Sequence, residues 1–324
     1  MRKLLALLAG SFLIVMGCNK SSSHEEEKEM EGEDITATQR RCSSDDVLQE
    51  QLKADPSLRK RMDAIEEFTK HVKDNPDMGR RLADGTIEIP VVFNVLYRTA
   101  AQNISLAQLQ SQIDVLNEDY AAANADYNLT STYNSVKSGD IGIKFVLDNV
   151  VRKSTTKTTW STNDAMKKSG QGIAPTSPTT KLNIWVCNMG GGILGYAQFP
   201  GGAAATDGVV LDDNATGRTG TAAAPFNKGR TATHEVGHWL NLRHIWGDAT
   251  CGNDQVGDTP SHNTANYGCP AAGHKSTCSG TPVEMTMNYM DYTDDACMYM
   301  FSAGQKSRMQ AVFAVGGPRS SFAQ

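Results

Sequence analysis

His234-Glu235-Val236-Gly237-His238-Trp239-Leu240-Asn241-Leu242-Arg243-His244 places three imidazoles and one carboxylate within eleven residues. On a helix advancing 100° per residue, positions four apart lie about 40° from each other, so His234 and His238 share a face and can reach one metal ion. Glu235 sits too far round to join them as a third ligand. It is placed instead to take a proton from a water at the metal. His244 comes six residues after His238. On an unbroken helix it would point away and lie roughly 9 Å further along the axis. The helix must therefore stop and the chain turn sharply, at a residue that tolerates positive φ. Asn241 stands there, asparagine being the most tolerant residue after glycine. The stretch predicts a zinc site at the end of a helix, with Glu235 as its general base.

HEVGHWLNLRH resembles the metzincin consensus H-E-x-x-H-x-x-G-x-x-H, with Asn241 at the usual glycine. The flanking HEVGHWL and HIWGD resemble the pappalysin family in particular, and the resemblance runs from about Thr86 to the C-terminus. It implies an α+β fold: a mixed, twisted five-stranded sheet with two long helices, an active-site cleft, and a loop-rich, disulfide-stapled C-terminal subdomain after about residue 244. It implies a zinc endopeptidase, with His234, His238 and His244 as ligands and proteins or peptides as substrates. Asn288-Tyr289-Met290-Asp291-Tyr292 looks like the Met-turn, with Met290 46 residues past His244. In the family this methionine supports the metal from beneath without ligating it. Tyr292 matches the tyrosine that metzincins bring near the metal, where its hydroxyl stabilises an oxyanion.

Upstream, Ile87–Tyr97 (IEIPVVFNVLY) is β-branched and apolar, with Pro90 near its start, and reads as a strand. Ser105 and Gln108 predict a capping box, with Ile104 stapled to Leu109 and a buried stripe of Leu109, Ile113, Leu116 and Tyr120. Ile141–Leu147 and Leu182–Cys187 read as further strands, followed by ILGYAQFP and DGVVL. Gly195–Phe199 is the candidate edge strand along the cleft, able to pair with an extended substrate. Ser302-x-x-Gln305 caps a last helix carrying Met309 and Val312.

Residues 1–18 read as a leader: Arg2 and Lys3, an apolar core too short for a permanent span, then Val15-Met16-Gly17-Cys18, which resembles a lipobox. Export is expected, as an outer-surface lipoprotein anchored to the membrane at Cys18 or as a secreted protein. Residues 19–38 are acidic and poor in large apolar groups, a disordered tether. The net charge of −5 gives no hint of nucleic-acid binding.

Residues 39–83 read as an inhibitory propeptide ahead of a catalytic domain, 84–324. From Asp45 to about Val72 the chain is helix-prone, with Leu48, Leu52, Leu58, Met62 and Ile65 at helical spacing and Pro56 and Pro76 as punctuation. It carries too little apolar surface to fold alone and should pack on something else. Arg41-Cys42 precedes it. A thiolate delivered from a propeptide fills the fourth zinc position and excludes water, and this resembles the cysteine switch of several metzincins. Processing is expected near Arg80-Arg81.

Of the seven cysteines, Cys251, Cys269, Cys278 and Cys297 cluster in a Gly/Asn/Pro-rich region that needs staples, and four cysteines allow three pairings. The pappalysin resemblance implies Cys251–Cys278 and Cys269–Cys297. Cys187, in the apolar run LNIWVC, reads as a buried free thiol. Asp248, Asp254, Asp258 and Thr259 offer hard oxygen ligands, a candidate calcium site. Asp294 and Asp295 follow the Met-turn, where metzincins build a wall of the S1′ pocket, and an acid there would select Arg or Lys at P1′. The competing reading is a surface adhesion or binding lipoprotein that keeps its zinc for structure.

Overall fold

The computed structural model describes residues 37–75 and 85–322. The leader with Cys18, the tether up to residue 36, Pro76 and Arg80-Arg81 lie outside the described residues. Five strands form one mixed sheet: β1 (Ile87–Tyr97), β2 (Ile143–Ser154), β3 (Leu182–Cys187), β4 (Gly195–Ala197) and β5 (Val209–Asp212), in the order β2-β1-β3-β5-β4. Four of them run parallel, and β4 is antiparallel to β5 and closes one edge. The fold is α+β, and β4 is the cleft-side edge anticipated from Gly195 onward.

β1, β3 and β5 are near-continuous apolar runs because both faces are covered, and every residue of β3 is buried, whereas the edge strand β2 is part exposed. Pro90 is tolerated in β1 because pairing with β3 starts only at Val91, so one neighbour is absent where the N–H is missing. β2 differs from the expected Ile141–Leu147. Gly142, at φ 76, delays its start, and it continues to Ser154 beside the whole of β1.

α3 (Leu106–Tyr120) crosses the sheet with Leu109, Ile113, Leu116 and Tyr120 in the core. Its expected capping box is only half made. Ser105 accepts from Gln108 N, but the Gln108 amide reaches instead to Thr216 O and Thr221 Oγ1. A full box does cap α5 (Ala303–Ala311), through Ser302 and Gln305. α4 (Arg230–Trp239) packs against α3, β4 and β5. After it the chain is mostly loop, joined by Cys251–Cys278 and Cys269–Cys297 with Cα separations of 5.7 and 5.5 Å. Cys187 is buried and unbridged.

The helix-prone N-terminal stretch is two helices, α1 (Ser44–Ala54) and α2 (Ser57–Asp74), divided at Asp55-Pro56. Leu48, Leu58 and Met62 bury themselves on Phe199, with Leu52 against the same cluster, and Phe68 and Val72 pack on Ala311 and Ala314.

Candidate active site

α4 is held from below before it presents anything. Arg230, at its first turn, pairs with Asp126 at 2.5 Å and lies 3.7 Å from Asp119, which also accepts from Thr233 Oγ1. Burial nonetheless pushes the Asp119 carboxyl up to about 6. None of these three was anticipated, since single charged residues far apart in sequence carry no local signal.

The helix ends after Trp239. Asn241 takes φ 72, and Leu242 N reaches back to Gly237 O at 2.9 Å, the bonding of a left-handed helix stop. The chain therefore doubles back and His244 returns to the two helical histidines. His238 Nε2 lies 3.2 Å from His234 Nε2 and 3.1 Å from His244 Nε2. Every Nδ1 faces an acceptor: Tyr289 O for His234 at 2.6 Å, Leu242 O for His238 at 2.8 Å, and the Asp248 carboxylate for His244. A carbonyl can only accept, so the Nδ1 atoms of His234 and His238 carry the protons and their Nε2 atoms present bare lone pairs. Burial first, then neighbouring histidines, holds His234 well below its usual value and His238 down at about 3. Neutral nitrogens with lone pairs this close repel one another, and a shared cation relieves that. The donor set fits zinc.

Cys42 closes the group. Its Sγ and the three imidazoles have donor atoms all within 4.8 Å of one another, the one such His/Cys/Asp/Glu group among the described residues. The same thiol donates to Glu235 Oε2 at 3.3 Å, and Ser44 Oγ donates to that oxygen at 2.8 Å. Glu235 Oε1 is buried with no hydrogen-bond partner among the described residues. Burial pushes the Glu235 carboxyl up to about 7. Gly195 makes room for it. A Cβ there would stand 2.7 Å from Val210 O and 3.1 Å from Glu235 Cγ.

The segment 41–44 lies parallel to β4 and joins it by a strand-like bridge at Cys42 and Gly195: Arg41 O accepts from Leu194 N at 3.0 Å, and Ser43 N donates to Gly195 O at 3.1 Å. Tyr292 Oη donates to Cys42 O at 2.9 Å. On one side Arg40 is swallowed whole, its Nη2 2.6 Å from Asp295 Oδ1, Nε on Thr293 O and guanidinium 5.0 Å from the Phe226 ring centroid. Of the two acids after the Met-turn, only Asp295 reaches this pocket, while Asp294 is part exposed. Met290 lies under α4, and Ile245 N donates to Met290 O at 3.1 Å.

The acidic loop does not assemble as expected. Asp254 accepts from Val256 N and Thr259 Oγ1, and Asp258 from Ser302 Oγ and Gly304 N at the start of α5. Asp248 serves His244. These oxygens satisfy protein donors, and among the described residues no three of these carboxylates gather as a metal-binding group.

A mixed sheet whose antiparallel edge faces an H-E-x-x-H helix, with a methionine-bearing turn beneath it, defines a metallopeptidase of the metzincin class. A family model described as pregnancy-associated plasma protein-A, peptidase M43, matches residues 181–314. The extracellular metalloprotease of Verticillium alfalfae is 34% identical over 242 residues, 70% of this chain and 78% of that protein. Mature mirolysin of Tannerella forsythia, solved with a cleaved peptide, is 45% identical with a TM-score of 0.71, over 73% of this chain and 95% of that one. A promirolysin mutant of the same organism is 41% identical with a TM-score of 0.79, and covers 87% of this chain and 97% of that one. The chain belongs to the pappalysin family, peptidase M43, and is a metalloendopeptidase.

Proposed function

We propose that the chain is the zymogen of a zinc endopeptidase, held latent by residues 39–83, with His234, His238 and His244 as the zinc ligands and Cys42 as the fourth. The observation that carries this is Cys42 Sγ among three converging imidazole nitrogens, hydrogen-bonded to Glu235. The larger share of the chain covered by the pro-form supports it. Without a cation, burial and the Glu235 charge push the Cys42 thiol up. A divalent cation inverts that balance, because a coordinating thiol is deprotonated outright.

Zinc bound at this site supplies a Lewis acid that polarises the peptide carbonyl and lowers the pKa of water. The protein supplies the rest. Glu235, freed of Cys42 and Ser44, takes the proton of the attacking water and hands it to the leaving nitrogen. Tyr292, freed of Cys42 O, donates to the developing oxyanion. β4 pairs with the substrate backbone where the propeptide now lies. Asp295, buried and holding Arg40, receives the side chain after the scissile bond and selects arginine, while Asp294 adds negative charge at the rim.

Export belongs to the same reading, supported by relatives named as extracellular, and lipid attachment at Cys18 is its finer part. Calcium has no support in the Asp254–Thr259 loop, whose carboxylates are taken by protein donors. Adhesion is not retained.

The test compares protein lacking residues 1–84 with its Glu235→Ala variant for cleavage of an unfolded protein, with zinc content measured on both. Cleavage abolished in the variant at equal zinc content is expected. Folded, zinc-loaded protein that cuts nothing would overturn the reading.

A further inference from the structure

Release of the propeptide uncovers more than the cleft. α2 runs along a separate face of the catalytic domain for about 21 Å, from Leu58 to Val72 at 1.5 Å per residue. Its contacts change in character along that length. Leu58 and Met62 cover Phe199, whose ring lies 5.2 Å from that of His238. Arg61 Nε donates to Gly201 O at 2.8 Å. One turn on, Glu66 Oε1 pairs with Arg308 Nη2 and lies 3.8 Å from Arg243 Nη2. Phe68 and Val72 then sit on Ala311 and Ala314.

Arg308 is held in place without help from α2. The Arg308 side chain is 3% exposed and its Nε donates at 2.6 Å to Asn241 O, in the turn that returns His244. Among the described residues, Glu66 is the carboxylate within 4 Å of either guanidinium. Asp248 and Asp254 act on the pair only through space. When α2 leaves, two partly buried cations lose their carboxylate and Phe199 loses its cover.

We propose that in the processed enzyme this strip is a secondary substrate site, which takes an acidic amphipathic helix of a protein substrate outside the cleft. The inference rests on the zymogen reading above. Its occupant is specified by complementarity: an apolar residue for Phe199, a carboxylate one turn later for Arg243 and Arg308, and apolar residues beyond for Ala311 and Ala314. Polarity fixes its side. The propeptide passes from Arg40, at Asp295, along β4 toward Phe199, so the strip lies on the opposite side of the zinc ligands from the Asp295 pocket. The docked helix therefore belongs to the amino-terminal side of the bond that is cut.

A labelled peptide of residues 57–74 lacks Arg40 and Cys42 but carries Arg59, Lys60 and Arg61. Its binding is therefore measured with a saturating short arginine peptide that fills the cleft and should leave it unchanged. Its anisotropy is measured with the Glu235→Ala processed protein and with the full, unprocessed chain. Binding to the processed form only, about tenfold weaker for the Glu66→Gln peptide, is expected from loss of one charge-assisted pair. Equal binding to both forms, or indifference to the substitution, would overturn the site. In parallel, a quenched reporter segment with a single arginine is cleaved alone or joined downstream of residues 57–74 by a flexible Gly/Ser linker. A linker of about twenty residues is long enough to return from Val72 past Leu58 to the cleft. The fusion should raise kcat/KM about tenfold, and Glu66→Gln within it should remove most of that gain. A ratio near one for both fusions would count against the site, whereas a reporter left uncut by itself would sink the peptidase reading and leave the binding result standing.

Discussion

Met290 Sδ occupies the space that a side chain on Gly237 would need, 2.5 Å from where its Cβ would stand. The glycine inside HEVGH is therefore a packing requirement of the turn beneath the helix. Alanine in a helix gains about 1 kcal/mol over glycine, whereas overpacking a full core costs about 1–3 kcal/mol. Gly237→Ala should destabilise the native protein and weaken zinc binding. With Met290→Ala in the background, the same substitution should become neutral or stabilising. Urea denaturation of the four proteins in that cycle checks the change of sign.

Arg40 and Asp295 form an ion pair with side chains 1% and 0% exposed. Removing the arginine leaves a buried carboxylate that keeps only the Lys228 and Arg230 backbone donors. Breaking such a pair costs about 3–5 kcal/mol, less whatever those donors recover. Arg40→Ala in the unprocessed chain should raise the initial rate on a quenched peptide at least tenfold over the unaltered zymogen. Arg41, exposed and bonded to Gly191 O, should change that rate by about twofold or less when made alanine.

Asp254 is buried, and burial pushes its carboxyl from the usual 3.8 up to about 6. The folded protein thus holds this proton more tightly than the unfolded chain does. Stability from this group is greatest below pH 4, falls as pH rises toward 6, and is flat above. Asp254→Asn should remove a slope worth about 1–3 kcal/mol and leave the variant the more stable protein above pH 6. Thermal denaturation of both proteins from pH 4 to 8 reads it. Glu235 and Asp119 titrate in both, so the difference isolates Asp254.

The two disulfides close loops with sequence separations of 27 and 28 residues, and the Met-turn lies inside the second. Loop-closure entropy assigns each about 3–4 kcal/mol. Reduction with a non-chelating phosphine should lower activity before the sheet opens. Hydrogen exchange should rise first in residues 251–297 while β1 and β3 stay protected.

The zinc helix, its stop and the third histidine were legible because all lie within eleven residues and obey helical geometry. Leu109, Ile113, Leu116 and Tyr120 were legible for the same reason, as period and burial coincide. Features that depend on contacts across the chain were not. Nothing local distinguishes Gln108 as a capping side chain from Gln108 bonded to Thr216 and Thr221, more than a hundred residues away. Asp254 and Asp258 read as calcium ligands by composition, but turn donors and the start of α5 claim their oxygens. Pro56 marked the break between α1 and α2, yet the polar partner of α2, Arg308, lay 242 residues beyond Glu66. Gly195 and Gly237 looked like ordinary glycines until Val210, Glu235 and Met290 were seen against them.

The strand lent by residues 41–44 has one more consequence. It satisfies Leu194 N and Gly195 O, and Ser44 Oγ satisfies Ala197 N. Processing withdraws all three partners at once and leaves a row of idle donors and acceptors on an open sheet edge. Activation therefore makes the molecule adhesive as well as catalytic. Until a substrate arrives, the processed enzyme is exposed to its own kind, and high concentration should favour pairing between β4 edges. The latent chain, with its seam already filled, is the form suited to storage.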